Sequence, residues 1–129
     1  MPYKILISII LFCSSLFCES KDIMFESIET YLSKYRYIIK QSDFQTQNGI
    51  LQLEITSRRT NIKSQTLLGF YSIGRSLTKT SAIFREAQII VHYDSYNNQQ
   101  EIIIAPIDFV KKLSSGQISS RQFFNEIGF

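Results

Sequence analysis

His92 is the one histidine of the chain, and Asp94 follows two residues later. On an extended strand both side chains fall on the same face, where imidazole and carboxylate can hydrogen-bond. That pair is half of a nucleophilic triad. The sequence does not supply the other half: Ser95 and Tyr96 sit among turn formers, and no Gly-x-Ser-x-Gly or comparable nucleophile setting occurs. A small hydrolase using His92 and Asp94 is therefore the secondary reading, and a polar residue on the outer face of a strand is the primary one for His92. Glu54, Glu86 and Glu101 fall on or beside strand-like segments, and acid–base pairs of that kind hydrolyse glycosides. Alternation turns Glu54 to the polar face, which argues against a shared cleft. One histidine, with both cysteines confined to positions 13 and 18, gives no zinc-ligand spacing. No catalytic residue, metal or cofactor is assigned.

Charge is the stronger signal. Residues 55–85 hold Arg58, Arg59, Lys63, Arg75, Lys79 and Arg85 and no acid, a local charge of +6 in a chain whose net charge is +3. Arg75 and Lys79 are four apart on a central helical segment and share a face with Ser72. Arg58, Arg59 and Lys63 stand at the entry of that segment. A basic stripe near a helix start suits an anion: a phosphate, an acidic glycan, anionic headgroups or an acidic protein partner. The competing account is a solvated helix face preceded by a positive loop. Few aromatics interleave the cluster and the net charge is modest, so nucleic acid is not the expected partner.

The compartment is read from the N-terminus. After Met1-Pro-Tyr-Lys4 comes Ile5 to Phe17, 13 mostly apolar residues without a charge. That matches a signal-peptide core of roughly 7–15 residues and falls short of the roughly 20 needed to span a bilayer. Cleavage after Ser20 puts Cys18 and Ser20 at the two small-residue positions of a signal-peptidase site, which makes residues 1–20 a removed signal peptide and 21–129 a single exported, cysteine-free domain. The alternatives are an uncleaved N-terminal anchor or a buried first strand, against which the Cys-Glu-Ser-Lys break after the apolar run argues, and a lipoprotein attached through Cys18. Phe17 and Ser15 fit that pattern poorly, and membrane association is expected only if Cys18 is lipidated. There is no Asn-x-Ser/Thr acceptor.

The elements that must carry these residues follow from periodicity. Met24, Ile28, Tyr31, Leu32, Tyr35, Ile38 and Ile39 recur at helical spacing and predict an amphipathic helix over 23–39, acidic early and basic late as its dipole favours. Residues 41–49 read as a polar loop ending in the Asn48-Gly49 turn signal. Residues 50–56 alternate as a strand. A central helix is expected over about 61–81, with Leu67, Phe70, Tyr71, Gly74 and Leu77 on its apolar face. Gly69 and Gly74 cost that helix about 1 kcal/mol each against Ala, so close packing on a sheet is their expected reason. Ala87–Tyr93 and Glu101–Ala105 read as a hairpin. After Pro106 comes a short helix from Asp108 that Gly116 closes, and then a last helical turn or two opened by Ser119 and Gln122 at capping-box spacing. The expected fold is α+β: a two-layer domain in which a three-stranded sheet, in helix, strand, helix, strand, strand, helix order, carries its helices on one face.

With 129 residues, 44% hydrophobic and 19% charged, and only two Pro and five Gly, the chain has the composition of one packed domain, and collagen-like, low-complexity and disordered classes are excluded. Seven Tyr and ten Phe fall mostly at core spacing, with Tyr93, Tyr96 and Phe129 the candidates for exposure. The expected function is an exported, non-catalytic binding module for a protein or an anionic surface.

Overall fold

A computed structural model describes residues 20–94 and 99–129. The expected signal segment, apart from Ser20, and the candidate lipidation residue Cys18 lie outside the described residues, as does Tyr96. Helix α1 occupies residues 20–33. Then come β1 (Phe44–Gln47), β2 (Ile50–Ser57), α2 (Ile62–Leu77), β3 (Glu86–Tyr93), β4 (Gln100–Pro106), α3 (Ile107–Ser114) and α4 (Ser120–Ile127). The α+β class holds, but the sheet has four strands instead of three, in the order β1-β2-β3-β4.

The additional strand is β1, inside the segment read as a loop. Asn48 and Gly49 both take positive φ, 53° and 77°, the backbone that joins two strands through a two-residue turn and matches their twist. The turn folds Phe44–Gln47 back antiparallel onto β2, pairing Phe44 with Leu53 and Gln47 with Ile50. A strand of four residues with three polar side chains is too short to show a period. Its one apolar anchor, Phe44, is fully buried.

β2 and β3 run parallel over eight residue pairs, from Ile50 with Glu86 to Ser57 with Tyr93, and α2 connects them. β3 and β4 form the expected antiparallel hairpin. One face of the sheet is closed: Leu51, Leu53, Ile55, Ala87, Ile89, Val91, Ile103 and Ala105 are all buried, in one core with Met24, Ile28 and Leu32 of α1, Phe70 and Ile73 of α2, and Val110 and Leu113 of α3. The other face is open. Across it run rows of facing residues: Gln45, Gln52, Gln88 and Ile104; Glu54, Ile90 and Ile102; Thr56, His92 and Gln100. The Gln52 amide donates to the Gln88 side-chain carbonyl at 2.8 Å.

Helix α1 stops six residues before its expected end. Arg36 enters the left-handed region at φ 61°, with the Tyr37 N–H donating to the Leu32 carbonyl and the Arg36 N–H to the Ser33 carbonyl, the two bonds of a Schellman stop. Ile38 is consequently 88% exposed, whereas Ile39 is buried beyond the helix. The Tyr37 hydroxyl donates to the Thr56 carbonyl at 3.1 Å and accepts the Thr56 N–H, which ties the outgoing chain to β2.

On α2, Thr66, Gly69, Phe70, Ser72, Ile73, Gly74, Ser76 and Leu77 are buried; Phe70, Gly74 and Leu77 are so as expected, while Leu67 and Tyr71 are only half-buried. Gly69 does pack on the sheet: a Cβ there would stand 2.9 Å from Ile89 Cδ1. Gly74 packs on a helix instead. Its Cβ would lie 2.5 Å from Ser114 Cβ and 3.0 Å from the Val110 carbonyl oxygen, so α2 and α3 touch backbone to backbone there. α3 ends at Gly116, and α4 opens with the Ser119–Gln122 capping box, both as expected.

A cationic cleft at the end of the central helix

The basic stripe is split by the length of α2. Arg58, Arg59 and Lys63 stand at its start, Arg75 and Lys79 at its end, and the twelve residues from Lys63 to Arg75 separate the two groups by about 18 Å along the axis. That is well over the ~8–10 Å screening length at physiological salt. The five residues do not form one anion site.

At the start of α2 the cations are committed to aromatic rings. The Arg59 guanidinium lies 5.3 Å from the Tyr93 ring centre and donates to the Gln99 side-chain carbonyl. The Lys63 ammonium lies 5.9 Å from the ring centres of both Phe124 and Phe129. Arg58 borders a small cleft of about 220 Å³ that it shares with Tyr37, Asn61, Gln65 and the carboxylate-bearing Asp94. Cations near a helix start oppose its dipole, so these stacks offset a local electrostatic cost.

At the end of α2 cations also meet rings, with the Lys112 ammonium 5.8 Å from the Phe109 ring centre, but here they converge from three helices. A cleft of about 1040 Å³ opens between α1, the last turn of α2 and α3. Arg75 and Lys79 line it, joined by three residues the sequence did not single out: Lys34 from the end of α1 and Lys111 and Lys112 from α3. The acids on its walls are Glu26 and Asp108, so five cations face two carboxylates, a formal +3. Among the described residues none of the five is in ion-pair contact with a carboxylate. Arg75, Lys111 and Lys112 occupy the last turns of their helices. Helix C-termini there favour those cations, while Asp108 in the first turn of α3 brings that helix's opposite end to the same cleft.

The cleft also has hydroxyl and apolar walls. Ser27, Thr30, Thr78 and Ser115 offer hydroxyls, and Ile23, Leu77 and the Gly74 backbone give it an apolar component. The Arg75 guanidinium lies 5.3 Å from the Tyr31 ring centre, and Tyr31 stacks on Tyr35 at 5.4 Å. Burial, followed by the hydrogen bond with Tyr35, pushes the Tyr31 hydroxyl up to about 12, with Arg75 pulling the other way. Tyr31 therefore stays neutral, and a hydrogen-bond donor, throughout the physiological range.

The candidate chemical groups on the sheet do not converge. His92 lies on the open face, half-exposed, with its Nε2 3.7 Å from a carboxylate oxygen of Glu54, so the acid it meets is across the sheet on β2. Asp94 is at the strand's end, its N–H donating to the Ser57 carbonyl. His92 lines neither cleft. Glu86 pairs with Ile50, four residues along β2 from Glu54, which sets their Cα atoms about 13 Å apart along the strand direction. Glu101 pairs with Val91 and so belongs to the opposite face, where Tyr93 donates to it. Among the described residues no group of three His, Cys, Asp or Glu side chains is placed to hold a metal ion, and no helix is long and apolar enough to cross a membrane.

No family model, curated protein or solved structure matches the chain.

Proposed function

We propose that this chain is an exported, non-catalytic binding module that holds an anionic partner in the cleft between α1, α2 and α3. The observation that carries the reading is the imbalance there: Lys34, Arg75, Lys79, Lys111 and Lys112 surround one cleft in which only Glu26 and Asp108 are acidic. Arg75 supplies a planar fork suited to phosphate or carboxylate. The lysines supply mobile point charges, and Tyr31 a neutral donor. The competing reading, a small hydrolase using His92 and Asp94, has less to stand on because His92 turns to Glu54. Export rests on the apolar run Ile5–Phe17.

The test is salt-dependent binding of the full chain to a soluble polyanion, inorganic polyphosphate. The double substitution Arg75→Glu with Lys79→Glu is expected to lower affinity about tenfold or more at low salt, the loss of roughly two contacts of about 1 kcal/mol each. The difference should shrink as salt rises. Affinity equal to the parent's at low salt would overturn the reading.

A further inference from the structure

We infer that the anion received by the cleft is a membrane lipid headgroup, and that the cleft docks on the bilayer to which the N-terminal segment holds the chain. This rests on the anion-binding reading above and adds the identity of the partner.

The first observation is where the chain enters the folded body. Ser20, the first described residue of α1, accepts a hydrogen bond from the Thr80 hydroxyl at 2.9 Å. Thr80 directly follows Lys79 of the cleft, and Ile23, one helical turn after Ser20, is on the cleft wall. The entry point is thus about 4.5 Å of helix rise from the cleft. The apolar run Ile5–Phe17 ends only three residues before Ser20 in sequence. A chain tethered to a bilayer through lipid on Cys18 would enter its folded body two residues later, beside the cleft. Cleavage after Ser20 would instead cut at the described helix and remove the Ser20–Thr80 contact.

The second observation is the character of the rim. Ile23 is 47% exposed, and Tyr35, stacked on the cleft residue Tyr31, is 54% exposed. An apolar and an aromatic side chain held in water beside a ring of lysines are unnecessary for a soluble anion. They suit an interface whose outer layer is charged and whose next layer is acyl chain. Lysines, four of the five cations, keep their ammonium groups at headgroup level while their stems follow the apolar layer.

The chain contains no tryptophan, so Ile23→Trp in the full-length protein is a single reporter placed on the cleft wall. The N-terminal segment can insert into any bilayer, so the comparison is between vesicles of phosphatidylcholine and vesicles containing phosphatidylglycerol. The expected result is a shift of Trp emission to shorter wavelength that is larger on the phosphatidylglycerol vesicles. Adding Arg75→Glu and Lys79→Glu should reduce it to the phosphatidylcholine value. Tyr35→Trp is the second reporter, read in case the substitution at Ile23 disturbs α1. An emission change on polyphosphate with identical shifts on both vesicles would overturn the lipid proposal and leave the anion cleft standing. No charge-dependent response to either probe would overturn both.

Discussion

The two ends of α2 carry comparable charge in the sequence and stack some of it on rings at both, but only one end gathers cations from other helices around a shared cleft. At the start, Arg59 and Lys63 lie over Tyr93, Phe124 and Phe129, and Arg58 shares its cleft with Asp94. At the end, Arg75 and Lys79 are joined by three lysines from other helices around a cleft with two acids. A run of positive residues therefore says little until each cation's neighbours are known. What makes a site is the convergence of charge from separate elements onto a common volume, and α1 and α3 converge only where α2 ends.

The contrast breaks most severely at Gly74, which sets how close α3 stands to α2. Gly74→Val places its Cβ against Ser114 and the Val110 carbonyl, backbone-anchored neighbours with no flexible end to give way. The expected cost is about 3 kcal/mol, the upper part of the overpacking range, read as a fall in the urea midpoint, and polyphosphate affinity should fall with it as the α3 wall moves. Ser114→Gly in the same chain should restore part of the midpoint. A midpoint unchanged by Gly74→Val would mean the helices are not in contact there.

Charge reversal at the other end is next in size. Arg59→Glu with Lys63→Glu changes the net charge by as much as the cleft variant does, and is expected to change polyphosphate affinity less than about twofold, because the screening length is shorter than the helix. Equal losses at both ends would show that total charge, not the cleft, drives binding.

The smallest effect is a pH dependence confined to the cleft end. The folded Tyr31 is raised to about 12 from an unfolded value of 10.0. Its contribution to stability is fully present below pH 10 and is lost as pH rises from about 10 to about 12. Tyr31→Phe should flatten that part of the stability profile, measured as urea midpoint against pH. An unchanged slope would remove Tyr31 as its source.

Much of the architecture was legible because it is written in local periods. Leu51, Leu53 and Ile55 alternate, the segments around Ile89 and Ile103 are short and β-branched, and Ser119 with Gln122 announces the last helix. β1 was not, since Gln45, Thr46 and Gln47 pair by backbone alone and the only clue was Asn48-Gly49 preceded by Phe44. The stop in α1 was hidden because Arg36 takes a backbone conformation usually left to glycine, while Ile38 and Ile39 keep the helical rhythm going. Of the cleft, Arg75 and Lys79 could be picked out from their spacing. Lys34, Lys111 and Lys112 read as ordinary dipole-complementing helix ends, and no sequence signal places α1 and α3 on either side of α2.

The order of strands has a kinetic consequence. The sheet is two hairpins joined along one parallel seam. Each hairpin closes through a short loop, whereas the seam brings Ser57 beside Tyr93 only after the whole of α2 has been laid down between them. Contacts that close long loops are the slow ones. The expected order of folding is therefore from the edges of the sheet inward, with its middle formed last.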